Sequence, residues 1–206
     1  MFDLQTYPCP LVAILRGLSP AEAEEIARTL FNNGFRMLEV PLNRPGACEA
    51  IQRIRKITPA DAIVGGGTML NKDHVDAVYE AGGRLMVSPN CEPEVIRYAV
   101  DKGMLALPGV ATPTEAFRAL DAGAQGLKLF PAEMIPPSVV KATRSVLPSH
   151  VHVMPVGGVN PSNMKAYFEA GATGFGIGSQ LYQPGMNADA VAKSAAAFMQ
   201  ARQALL

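Results

Sequence analysis

Lys128 stands alone among apolar residues in Gly126-Leu127-Lys128-Leu129-Phe130-Pro131. An ammonium in such a run, if it points inward, costs several kcal/mol to bury unless it is paired or gives up its proton. A desolvated amine with a pKa brought well below ~10.4 is suited to attack on a carbonyl carbon. The competing account is a lysine turned outward at a strand edge. Glu39 repeats the pattern in Met37-Leu38-Glu39-Val40-Pro41. Strand parity turns it to the face opposite Leu38 and Val40. A partly buried carboxyl there is a good general acid/base, because burial raises its pKa. Its structural alternative is an ion pair, with Lys128 as the obvious partner.

Arg16 follows Val12-Ala13-Ile14-Leu15. It is either a surface ion-pair partner or a fork for a substrate carboxylate, holding it by two parallel hydrogen bonds. In the second role it is also a cation that depresses the pKa of Lys128. Gly157-Gly158 and Gly178-Ser179 each follow a short apolar run. Such pairs make tight turns, and in barrels they also place main-chain amides around a phosphate. Gly65-Gly66-Gly67-Thr68 is less specific: the glycines would let a ligand approach and Thr68 offers a hydroxyl. The histidines do not converge. His74 falls in a helical stretch, and His150 and His152 flank the start of an apolar run, so a metal mechanism has no support.

What positions these residues is a repeat. Eight short apolar runs are read as strands: Leu11–Leu15, Met37–Val40, Ile63–Val64, Leu85–Ser88, Leu105–Leu107, Gly126–Leu129, His152–Val156 and Gly174–Ile177. Helix candidates between them include 20–33, 71–81, 92–102, 113–122 and 161–170. Gly34, Gly82, Gly103, Gly123 and Gly171 close helices, as glycine enters the left-handed region without a Cβ clash. Ser19-Pro20, Thr112-Pro113 and Asn160-Pro161 read as a polar cap before proline at the first helical position, with Glu115 completing a capping box. In 20–33, Ala23, Ile26, Ala27 and Leu30 fall on one helical face.

Short strands that are apolar on both faces belong to a covered parallel sheet. Eight βα units predict a (β/α)8 barrel, one α/β domain over residues 1–206, near the lower end of the barrel size range. The main rival, a doubly wound sheet, lacks its glycine-rich first turn. In a barrel the chemistry sits at the carboxyl ends of the strands. Arg16, Glu39, Thr68, Ser88, Lys128 and both glycine turns fall there.

The bulk numbers agree with one apolar core: 206 residues, 49% hydrophobic and 17% charged. With 18 basic and 18 acidic residues the net charge is zero, so no bulk field argues for nucleic acid or an anionic membrane. Three widely spaced cysteines form neither a disulfide framework nor a zinc site, which points to a reducing compartment. With no signal-like start and no apolar run long enough to span a bilayer, the expected location is the cytoplasm.

Five motifs in order, Ile14-Leu15-Arg16-Gly17, Leu38-Glu39-Val40-Pro41-Leu42-Asn43, Gly65-Gly66-Gly67-Thr68, Lys128-Leu129-Phe130-Pro131 and Val156-Gly157-Gly158-Val159, resemble the 2-dehydro-3-deoxy-phosphogluconate/phosphogalactonate class I aldolases. The resemblance spans essentially the whole chain. It implies a homotrimer of barrels that needs no cofactor and cleaves a phosphorylated keto-deoxy sugar acid to pyruvate and glyceraldehyde 3-phosphate. It further implies a Schiff base on Lys128, proton shuttling by Glu39 through water, and pyruvate held by Arg16 and Thr68. Gly157, Gly158, Gly178 and Ser179 would hold the phosphate.

Gluconate-type members usually carry an arginine shortly after the strand-two glutamate, in a pattern like Glu-x-Thr-x-Arg, and a threonine before the Gly-Gly pair. This chain has Pro41 and Asn43, with Arg44 displaced by one, and Val156 before the glycines. Both departures match the phosphogalactonate branch. Val156 lacks a hydroxyl that would bond one sugar hydroxyl, which shifts preference between C4 epimers. The gluconate epimer is the alternative substrate. A phosphosugar isomerase or epimerase, or a silent phosphate-ligand binding barrel, are the alternatives of other classes.

Overall fold

The computed structural model describes residues 4–206. After a 3-10 turn, Leu4–Thr6, strands and helices alternate: β1 (Leu11–Ile14), α1 (Ala23–Asn32), β2 (Met37–Pro41), α2 (Ala47–Ile57), β3 (Ile63–Gly67), α3 (Lys72–Glu80), β4 (Leu85–Val87) and α4 (Pro93–Asp101). The second half runs β5 (Leu105–Leu107), β6 (Gly109–Val110), α5 (Pro113–Asp121), β7 (Gly126–Leu129), a 3-10 turn Ala132–Met134, α6 (Pro137–Arg144), β8 (His152–Pro155), α7 (Met164–Glu169), β9 (Phe175–Ile177) and α8 (Ala188–Gln203).

Every strand pairing is parallel. One ladder has the order β5-β4-β3-β2-β1-β9 and the other β6-β7-β8. The fifth predicted strand, Leu105–Leu107, is present as β5; beyond Pro108, which has no N–H, the two-residue β6 is an additional short strand. Hydrogen bonds continue across the break, from Gln125 N–H to the Ala106 carbonyl at 3.2 Å and from Lys128 N–H to the Pro108 carbonyl at 2.9 Å. A single parallel bridge, Val156 to Gly176, joins the two ladders on the other side. The result is a curled parallel α/β fold of the TIM-like kind, with helices outside.

Side-chain alternation divides the core in two. Val12, Met37, Ile63, Leu85, Val87, Leu107 and Met154 form an inner cluster that Leu4 joins. Their strand neighbours Ala13, Leu38, Val64, Met86, Ala106 and Val153 pack outward with the helices. Glu39 shares the parity of Met37, and Lys128 is opposite in parity to the outward Leu127 and Leu129. Both charges therefore face the inside.

The predicted helix face of α1 is buried as expected at Ala23, Ile26, Ala27 and Leu30. All five closing glycines have positive φ, from 74° to 102°. The Thr112 capping box is present, with Pro113 at the first turn. The other two caps differ from expectation. α1 begins at Ala23 because the Ser19 hydroxyl donates to the Glu22 carboxylate, and the Glu22 N–H closes a three-residue turn onto the Ser19 carbonyl. Asn160 likewise caps a turn, its Oδ1 accepting from Ser162 and Asn163 N–H, and α7 starts at Met164. Among the described residues no helix is long and apolar enough to cross a membrane.

Candidate active site

β2 and β7 turn their charges into a small space walled by apolar side chains. Glu39 is 1% exposed and Lys128 8%. Val12, Ile14, Val87, Leu107, Met154 and Val156 wall the small gap that both groups line. Its volume, about 10 Å³, is that of one water position. Among the described residues no ion pair joins Glu39 to Lys128. Glu39 Oε2 has no hydrogen-bond partner there either. A carboxylate buried this way is costly if its role is only structural.

Burial resolves the cost by moving protons. It pushes Glu39 up from 4.5 to about 7, against the lowering effect of Lys128 and Arg16. Burial likewise pulls the Lys128 amine below its ordinary value; Glu39 opposes this and Arg16 adds to it. The site thus pairs an amine whose pKa is lowered with a carboxyl that gains and loses a proton near neutrality, the pairing suited to nucleophile and general acid/base. The Lys128 Nζ sits 4.8 Å from the centroid of the Phe130 ring.

The glycines of β3 serve neighbours rather than a ligand. A Cβ on Gly65 would lie 1.8 Å from the Leu85 carbonyl oxygen, and one on Gly67 would lie 1.8 Å from Glu39 Oε2. Gly67 is the bare backbone that leaves room for the Glu39 carboxylate. Thr68, next in the chain, is held at φ 56°, a left-handed conformation unfavourable for a β-branched side chain. It is half-buried and lies outside the lining of the inner gap. Ser88, at the end of β4, is buried and spends its hydroxyl on the Asn90 carbonyl at 2.7 Å, a loop-fixing bond.

Beside the inner gap, sharing Ile14, Val156 and Gly176 as walls, lies a wider cavity of about 260 Å³. Arg16, Gly157, Gly158, Gly178 and Ser179 all line it, so the structure brings together the predicted anion-binding groups. After β9 the Gly178 carbonyl accepts from Leu181 and Tyr182 N–H at 2.8 and 3.1 Å. That single helical turn starts with the N–H groups of Ser179 and Gln180 unused by the turn itself. Arg16 is exposed at the rim and also lines an outer cleft with Arg44 and Pro184.

Two residues of this cavity escape the sequence reading. Glu133, in the 3-10 turn after Lys128, lies against the Gly157-Gly158 turn: a Cβ on Gly157 would stand 2.2 Å from its Oε2. The signal was its place in the loop after a strand end, past Pro131. Tyr182 is buried, its hydroxyl has no hydrogen-bond partner among the described residues, and burial first and Glu22 second push its pKa to about 12. The histidines lie elsewhere: His74 on α3, with Nδ1 accepting from Leu70 N–H, and His152 at the start of β8. Among the described residues no group of three or more His, Cys, Asp or Glu is placed to hold a metal ion.

Residues 4–196 match the family model described as KDPG and KHG aldolase. A relative from Rhizobium meliloti (strain 1021), a probable 2-dehydro-3-deoxy-6-phosphogalactonate aldolase, is 48% identical over 95% of this chain and 92% of its own length. The 2-dehydro-3-deoxy-6-phosphogalactonate aldolase of Escherichia coli (strain K12) is 45% identical, over 93% of this chain and 94% of that protein. A solved structure described as native KDPGal superposes with a TM-score of 0.94 at 43% identity, covering 100% of this chain and 98% of the other.

Proposed function

The chain belongs to the KDPG and KHG aldolase family and is an aldolase, and from that premise we propose that it cleaves 2-dehydro-3-deoxy-6-phosphogalactonate to pyruvate and glyceraldehyde 3-phosphate through a Schiff base on Lys128. The observation that carries this reading is a buried amine, its pKa pulled down, facing a carboxyl raised to about 7 across a gap of one-water size.

The Lys128 amine adds to the C2 ketone, and loss of water leaves an iminium ion. Glu39, acting through a water, takes the proton of the C4 hydroxyl. The C3–C4 bond then breaks, its electrons running into the iminium to give an enamine, and the phosphorylated aldehyde departs. A proton returned by way of Glu39 to the enamine carbon and hydrolysis of the imine free pyruvate and the amine. The proton balance closes on Glu39, so the cycle needs no cofactor.

Arg16 holds the pyruvate carboxylate, and its charge adds to the lowering of the Lys128 pKa. Thr68 is assigned to the same carboxylate end; its strained backbone is of the sort that persists where function demands it. Gly157, Gly158, Gly178 and Ser179 take the phosphate in the adjoining cavity, and Val156 stands between the two ends. The 45% and 48% relatives named for the phosphogalactonate substrate support that epimer.

The same reading takes the fold as a closed (β/α)8 barrel over a single domain, 1–206. Supporting it are the Val156–Gly176 bridge and the bonds that carry the ladder across Pro108. Family likeness supports a homotrimer, and the charge balance and cysteine pattern support a cytoplasmic enzyme without nucleic-acid or membrane partners.

Incubation with pyruvate and borohydride, followed by mass spectrometry, tests the mechanism. A reduced pyruvyl adduct on Lys128, absent in Lys128→Met, is expected. A folded protein that gives no adduct would return Lys128 to a structural role and favour an isomerase or a binding protein.

A further inference from the structure

Glu133 is a carboxylate in the cavity assigned to a phosphate, and that is electrostatically awkward. Glu133 is exposed, so solvent screens part of that repulsion, but a like charge adds nothing to phosphate binding unless it contacts the substrate elsewhere. Its position is fixed rather than incidental. Ala132, the residue before it, donates its N–H to the Val156 carbonyl at 2.9 Å. The Ala132 carbonyl accepts from the buried Tyr167 hydroxyl at 3.0 Å. Both main-chain groups of Ala132 are therefore tied down, one of them to the residue that borders the sugar tail.

The side chain itself is uncommitted: the Glu133 carboxylate has no hydrogen-bond or ion-pair partner among the described residues. It overlies Gly157, whose φ of 114° and missing side chain together make the space it occupies. A carboxylate accepts hydrogen bonds and donates none when ionised. Its natural partner on a phosphorylated sugar acid is a hydroxyl. Val156, the neighbouring wall, is apolar and cannot supply that contact.

Resting on the aldolase reading above, the geometry points to Glu133 as a specificity-determining residue that accepts a hydrogen bond from the C5 hydroxyl of the substrate, the hydroxyl that becomes C2–OH of glyceraldehyde 3-phosphate. With C2 on Lys128 and the phosphate at Ser179, C4 lies by Val156 in reach of the inner gap, and C5 follows on the Gly157 side. The C4 hydroxyl belongs to the proton chemistry of Glu39. The C5 hydroxyl has Glu133.

The test runs the reaction in the condensing direction, with pyruvate and one of two aldehydes. One is D-glyceraldehyde 3-phosphate, and the other is 3-oxopropyl phosphate, which lacks only the hydroxyl in question. Glu133→Ala is expected to lose roughly 10- to 100-fold in kcat/KM with the first, the usual loss for a charge-assisted hydrogen bond, and to change less than about twofold with the second. Glu133→Gln, which keeps an acceptor, should recover part of the loss. Equal losses with both aldehydes would make Glu133 a structural residue, and gains with both would make it only an obstacle to phosphate; either overturns the assignment. Pyruvate trapping on Lys128 in the wild type and in Glu133→Ala separates the two levels. No adduct in the wild type defeats the aldolase reading, whereas an adduct in both with equal kinetic losses defeats only the role of Glu133.

Discussion

Gly67 and Glu39 are matched as lock and space: a single methyl on Gly67 would fall 1.8 Å from Glu39 Oε2, far inside contact distance. Gly67→Ala is therefore expected to displace the carboxylate while leaving Lys128 in place. Proton exchange at the pyruvate methyl group, followed by NMR, should slow at least about 100-fold, the scale of a lost general base. Overpacking should also cost roughly 1–3 kcal/mol of stability. Borohydride trapping on Lys128 after long incubation should survive, since the amine is untouched. Normal exchange in this variant would show that Glu39 is not the proton carrier.

The raised pKa of Glu39 has a consequence for stability as well as catalysis. Unfolded, the carboxyl titrates near 4.5; folded, it titrates near 7, because burial disfavours its charge. The native state thus binds the proton more tightly, and the contribution is complete below pH 4.5 and lost as pH rises through 7. Lys128 acts in the opposite sense: its folded pKa is lowered, so its contribution is complete above its ordinary value and is lost as pH falls. Glu39→Gln removes the first effect outright and, by taking away the opposing charge, lets the Lys128 pKa fall further. Urea unfolding should show the wild type losing on the order of 3 kcal/mol relative to Glu39→Gln between pH 4.5 and 7.5. A difference that stays flat would mean the carboxyl is ionised in the native protein throughout.

Arg16 reaches Lys128 through its field, third in order after burial and Glu39. Arg16→Gln should let the amine pKa rise, so the pH midpoint for pyruvate adduct formation moves upward and trapping at pH 7 slows. Arg16→Lys keeps the charge but not the two-pronged fork. It should hold the midpoint near its wild-type place while pyruvate affinity falls about tenfold. If both variants shift the midpoint equally, the charge of Arg16 is not what tunes the amine.

Lys128 and Glu39 were legible because each is a lone charge in a strand whose other members are apolar, and strand parity then decides which way it faces. The helix ends were legible at glycine for a similar reason, since few residues other than glycine take that backbone readily. The starts were less so. Ser19-Pro20 and Asn160-Pro161 satisfy the same sequence rule as Thr112-Pro113, yet their side chains bond within a preceding turn. Local chemistry permits either outcome, and the distant packing chooses. The extra strand Gly109–Val110 was not legible either: two residues carry no pattern, and only their pairing with β7 makes them a strand. Glu133 stayed hidden because nothing in its immediate neighbours marks it. Only the fold brings it over Gly157, 24 positions later in the chain.

Val156 is the place where substrate choice should be adjustable. Its side chain is buried, 6% exposed, and lines both the inner gap and the wider cavity, so whatever links C2 to the phosphate passes it. Valine and threonine are nearly equal in shape but differ by one hydroxyl, so Val156→Thr adds a hydrogen-bonding group without changing the space available. A hydroxyl there can bond one C4 epimer and be left unpaired by the other, and a buried unpaired group costs about 1–3 kcal/mol. The ratio of kcat/KM for the phosphogluconate over the phosphogalactonate substrate should therefore rise roughly tenfold or more. The rise should come from both sides, with the gluconate improved and the galactonate weakened. The Lys128 adduct with pyruvate alone should form at the wild-type rate, because pyruvate ends before C4. An unchanged ratio would move epimer selection away from this wall of the cavity.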